Sequence, residues 1–183
     1  MAIFTNLKEV PVNVHGMFES SRLKATVVGH LYDAIVRDAD EKEIAVDNGV
    51  CIKMGDWTGD GLQTRYATVA AVGDKVAVTG SPAIVKDAFT KLQEAEYNFY
   101  HTEGTVAKAY ELVEEDIFAV AKYQFVSGDP VVGAYVTVDG NGAYAATSEK
   151  PADTYGFIGK VHSIASNDFY PMVRIEVIKN EQV

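Results

Sequence analysis

Between Gly104 and Gly142 the chain runs through short stretches of alternating apolar residues, interrupted by Ser127-Gly128-Asp129-Pro130 and by Asp139-Gly140-Asn141-Gly142. A period of two places successive side chains on opposite faces of a pleated strand, and the Gly-, Asn- and Asp-rich tetrads supply the backbone that tight reversals need. The pattern predicts consecutive antiparallel strands joined by turns. It also accounts for the acidic and hydroxyl residues of this stretch as turn and solvent-facing positions, so none calls for a chemical role.

The remaining segments extend the reading. Ile44 to Val46 and Val50 to Lys53 flank Asp47-Asn48-Gly49 and predict a hairpin, and Tyr66 to Ala71 and Lys75 to Thr79 read as strands on either side of Val72-Gly73-Asp74. Gly55 to Gly61 reads as a loop, and Gly156 to Ile164 and Met172 to Ile178 read as closing strands. The run from Leu23 to Asp38 fits strand or short helix; its β-branched pairs favour strand, and Gly29 interrupts both patterns. From Pro82 to His101 the apolar residues Ile84, Val85, Ala88, Phe89 and Leu92 fall on one helical face, which predicts one short helix. The expected fold is therefore mainly β: an antiparallel β-barrel or sandwich-like domain with one short helix.

The first 18 residues differ in kind. Ile3, Phe4, Leu7, Val10, Val12, Val14, Met17 and Phe18 are apolar, while Pro11 and Gly16 interrupt any regular element. They predict an extended N-terminal arm (1–18), lying as an edge strand on its own domain or reaching a neighbouring subunit, followed by a single β-rich domain (19–183).

Composition limits the functions open to such a chain. At 183 residues it can bury one sizeable core, or two small ones, without metals or disulfides. The 26 acidic and 16 basic residues give a formal charge of -10, which repels nucleic-acid phosphates and anionic lipid headgroups. The single cysteine, Cys51, lies in an apolar setting that fits a buried core position, compatible with a reducing compartment. No segment has the ~18 apolar residues of a membrane helix, and the first residues lack the pattern of an export signal; no membrane partner is expected.

Reactive constellations are not legible. His15, His30, His101 and His162 are scattered, without a second ligand at metal-binding spacing. The loop at Asp56 and Asp60 lacks the closing glutamate of a calcium loop, Ala67 standing at that position. Asp139 to Gly142 lacks the lysine and following helix of a phosphate cradle. Ser20, Ser21, Ser127 and Ser148 sit in no context that activates a hydroxyl, and Glu114, Glu115 and Asp116, read as strand neighbours, point to opposite faces. No catalytic, cofactor-binding or metal-binding residue is expected, so the chain reads as a non-enzyme. The aromatic residues of the C-terminal half and the apolar arm offer a partner surface instead: Phe4, Leu7, Val10, Val12, Phe18, Tyr97, Tyr100, Phe169 and Tyr170 are its candidates.

The order of Lys75-Val-Ala-Val-Thr-Gly-Ser-Pro82, Glu103 to Leu112, Glu115 to Val120, Gly128 to Val136 and Gly156 to Val161 resembles the head decoration, or capsid cement, proteins of tailed phages and prophages of Gram-positive bacteria. The resemblance covers residues 75 to 178 and rests on strand and turn patterns. It implies a structural virion protein on the outer surface of an icosahedral capsid, made in the host cytoplasm. The partners it implies are the major capsid protein and further copies of the chain, as a trimer first. A tail-tube or head-fibre subunit would use the same β-body, and a β-barrel ligand-binding module would betray itself by a deep polar pocket.

Overall fold

The computed structural model describes residues 15–59, 63–84, 96–165 and 170–183. Among the described residues strands far outnumber helical turns, the mainly β class that the turn and strand pattern predicts. In chain order the strands are β1 (Phe18–Arg22), β2 (Leu31–Arg37), β3 (Cys51–Trp57), β4 (Thr64–Val69), β5 (Ala77–Thr79), β6 (Ala107–Glu111), β7 (Ile117–Ala121), β8 (Phe125–Ser127), β9 (Tyr135–Val138), β10 (Tyr144–Thr147), β11 (Phe157–Ala165) and β12 (Met172–Asn180). A single helical turn, α1 (Ala25–Val28), separates β1 from β2. It ends at Gly29, whose φ of 80° is a left-handed conformation that suits a residue without Cβ.

The strands divide into two bodies. β2, β4, β3, β5 and β6 close into a five-stranded barrel, and β1, β7, β12, β11, β9, β10 and β8, in that order, form a seven-stranded sheet. The barrel lumen is filled by Ala34, Ala67, Ala77, Ala107 and Ala109 together with Val36, Val46 and Ile52. A five-stranded barrel is too narrow for a ring of large side chains, which explains the alanines.

One core joins the two bodies. Adjacent residues of β3 and β5 face opposite ways: Ile52 and Ala77 enter the lumen, while Cys51 and Val78 pack outside it against Phe118, Val136, Tyr144 and Val173 of the sheet. Both faces of β5 are buried, so Val76-Ala77-Val78 is a continuous apolar run, whereas β3 is buried on both faces only at Cys51 and Ile52. On its other side the sheet carries a smaller cluster, in which Met17, Tyr97 and Met172 cover Ala119 and Ala121.

Several sequence expectations need correction. The strands of 104–142 are not consecutive neighbours: β6 belongs to the barrel and β7 to the sheet, and β8 pairs with β10 in parallel. Only β9 and β10 form the expected hairpin around Asp139 to Gly142 within that stretch. Residues 44–46 do not pair with 50–53; Val46 bridges His101, and Gly49 donates its N–H to the carbonyl of Thr79 at 2.7 Å. Leu23 to Asp38 is part helical turn and part strand, because Gly29 separates the two. Trp57 lies in β3, so the expected loop at Gly55 begins as strand. Glu114 and Glu115 form a turn before β7, and the buried Asp116 carboxylate accepts from the N–H groups of Lys24 at 2.7 Å and Val113 at 2.9 Å. Of the helix expected between Pro82 and His101, residues 85–95 lie outside the described residues, and Glu96–Asn98 form a 3₁₀ turn. The closing pair agrees with expectation, β11 and β12 running antiparallel along nine residues each. Of the arm, residues 1–14 lie outside the described residues; Phe18 opens β1, an edge strand on β7.

Candidate interaction surface

Asp47, Asn48 and Gly49 stand where the barrel, the sheet and the root of the arm meet. Asp47 takes His15 Nδ1 on one carboxylate oxygen at 2.8 Å and the N–H of Gly16 on the other at 3.0 Å. Asn48 binds Ser81 through both its amide atoms, and His101 Nε2 lies 3.2 Å from its Oδ1. Gln124, in the 3₁₀ turn after β7, accepts from the N–H groups of Met17 and Ala121 and donates to the carbonyl of Asn48. The Met17–Gln124 bond spans 107 positions of sequence, and with the two bonds to Asp47 it holds the arm's root on the body.

Aromatic rings gather around this anchor. His15 stacks on Tyr100 with ring centroids 4.4 Å apart. Tyr170 meets Tyr97 edge-on at 5.8 Å and Tyr123 at 4.9 Å. The Tyr123 hydroxyl donates to the carbonyl of His15 at 2.6 Å, and the N–H of His15 donates to the carbonyl of Tyr97 at 2.8 Å. Beside Tyr100 a groove of about 550 Å³ is lined by Ile84, Phe99, His101 and Val106. Ile84 and Val106 are 68% and 47% exposed on its rim.

Three candidates from the sequence, Tyr97, Tyr100 and Tyr170, therefore share one ledge, with different parts in it. Tyr100 is exposed, Tyr170 half-buried, and Tyr97 buried as support, its hydroxyl pushed up by desolvation. Phe18 is not part of the ledge: its ring packs inward on Tyr110 and Phe118, beneath Gly80, where a Cβ would come within 2.2 Å of the ring. Phe4, Leu7, Val10, Val12 and Phe169 lie outside the described residues. Sequence reasoning missed His15 and Tyr123. Nothing local marks them, because their partners lie far away along the chain.

Burial holds the His101 imidazole below its ordinary value, against the pull of Asp47, so it is neutral at pH 7. Desolvation raises the Tyr123 and Tyr170 hydroxyls. No serine, threonine or cysteine among the described residues hydrogen-bonds to His15 or His101. Among the described residues no group of three His, Cys, Asp or Glu side chains is placed to hold a metal ion, and no helix is long and apolar enough to cross a membrane. Comparison with protein-family models, with curated proteins and with solved structures finds no match to this chain.

Proposed function

We propose that this chain is a structural virion protein that binds the outer surface of an icosahedral phage capsid and stabilises it. The observation that carries the reading is the ledge of Tyr97, Tyr100, Tyr123, Tyr170 and His15 at the point where an apolar N-terminal segment joins a rigid β-body. Tyrosine supplies large contact area at low entropic cost, and its hydroxyl tolerates a wet rim. The open groove beside Tyr100 continues that surface with apolar side chains. A segment ordered on a capsid loses conformational entropy, which many identical contacts on one shell offset. The acidic charge keeps free copies soluble before assembly.

Co-sedimentation with capsids of the phage or prophage that encodes the chain tests the proposal. Three proteins are compared: the full chain, a Tyr100→Ala variant and a chain lacking residues 1–14. The expected result is saturable binding of the full chain, weakened in both of the others. Absence of binding to any shell overturns the capsid role and directs attention to tube or fibre assembly.

A further inference from the structure

The groove beside Tyr100 has no Asp, Glu, Lys or Arg among its described lining residues. Ile84, Tyr100 and Val106 line it and are 68%, 42% and 47% exposed, so it presents apolar surface to water. Its volume of about 550 Å³ falls within the ~300–1,000 Å³ of pockets that enclose a ligand. Residues 98–102 form one wall, and the chain that enters the body runs onto that wall. The N–H of His15 bonds to the carbonyl of Tyr97 at 2.8 Å, its ring stacks on Tyr100, and the Tyr123 hydroxyl holds its carbonyl at 2.6 Å. Covalent geometry sets the Cα of residue 14 only ~3.8 Å from that of His15, so residues 1–14 join the body at the edge of the groove.

The composition of residues 1–14 matches what the groove offers. Ile3, Phe4, Leu7, Val10, Val12 and Val14 are apolar, and Lys8 and Glu9 cancel, so the formal charge of -10 is carried by residues 15–183. Removing such side chains from water is favourable, and a wall without charged groups has none to desolvate. The tether decides whose segment arrives first. Fourteen residues reach at most ~46 Å when extended, and the groove begins beside the residue from which they start. A segment so tethered meets its own groove at an effective concentration in the ~mM range, whereas a second copy is dilute and its body of charge -10 is repelled. We propose that residues 1–14 of the free chain seat in the groove of the same molecule, their apolar side chains against Ile84, Phe99 and Val106. The inference concerns the free chain and goes beyond the capsid reading; either can fail without the other.

A photoreactive diazirine residue in place of Val10 of the full chain, with the crosslinks mapped by mass spectrometry, tests the proposal. The same probe is placed in an Ile84→Glu/Val106→Glu double variant, both positions lying on the exposed rim. The expected result is crosslinking within one chain to residues 98–106, at a yield independent of protein concentration from ~1 to ~100 μM. The double variant should lower that yield about tenfold with an unchanged circular dichroism spectrum, because a carboxylate at the rim resists burial under apolar side chains. Thr102→Trp, at an exposed position of the same wall, obstructs the groove and should lower the yield likewise, so the result does not rest on the folding of one variant. Crosslinks between chains, at a yield that rises with concentration, would give the groove to a second copy and overturn the proposal. Crosslinks that fall on residues 85–95 or elsewhere instead of 98–106, or a yield that both variants leave unchanged, overturn it as well.

Discussion

Asn48 and Ser81 clasp each other across 33 positions of sequence: the Asn48 side-chain oxygen accepts from the N–H of Ser81 at 2.9 Å, and its amide nitrogen donates to the carbonyl of Ser81 at 2.8 Å. The side chain thus behaves like one residue of a β-bridge, satisfying the backbone beyond β5 where no strand is available to do so. Asn48 is only 5% exposed, and the same oxygen faces His101. Asn48→Ala leaves these partners unmet in a site that water reaches poorly. We expect a loss of about 2 kcal/mol in urea denaturation; a loss within error of zero would show that the clasp is dispensable.

Acidification should reduce stability in two stages. His101 is held below its ordinary value of 6.5 by burial. Its unfolded state therefore binds the proton more readily, and its contribution, complete above 6.5, is lost as pH falls through 6.5 towards the depressed folded value. Asp74 and Glu111 are desolvated, yet hydrogen bonds from Lys53, Ala71 and Gln182 to the first and from Lys75 and His30 to the second hold both below their ordinary values of 3.8 and 4.5. Their contributions are present above those values and disappear as pH falls further. Denaturant midpoints measured from pH 8 to 3 should show both stages in the native chain, and His101→Gln should remove the slope between pH 7 and 5.5. A slope that survives the substitution would assign it to another group.

Enlarging a lumen alanine should cost more than its added apolar area returns. Ala109 is fully buried among Ala34, Ala67 and Ala107, so Ala109→Leu forces neighbouring strands apart at a cost of about 2 kcal/mol. Thermal unfolding checks it, with Ala145→Leu, on a half-buried position of β10, as the comparison. Equal effects at the two positions would mean that the lumen has room to spare.

Cys51 should be chemically silent in the folded protein. It is fully buried, and desolvation pushes its thiol up to about 12, so almost no thiolate exists at pH 8. Ellman's reagent is expected to react only as fast as the chain unfolds, with full reaction in denaturant. Rapid labelling of the native protein would contradict the joined core that Cys51 shares with the sheet.

The amino-acid sequence by itself determined the class of structure and its most local reversals. Asp139 to Gly142 between two alternating runs is a hairpin, β11 and β12 lie close to the segments their patterns predict, and the apolar setting of Cys51 marks a core position. Each of these depends on residues near one another along the chain. The strand partners were decided only in three dimensions. A period of two states which side chains share a face, but not which strand lies alongside, so nothing local could separate β6 from β7 into two bodies or set β2 parallel to β4. The candidate surface divides in the same way. Its tyrosines were visible as aromatics, but His15 and Tyr123 join Tyr97 and Tyr170 only because the sheet and the arm's root bring residues from four distant segments to one place. Contacts of that separation are selected by the burial of the whole core, a quantity that no short window of sequence contains.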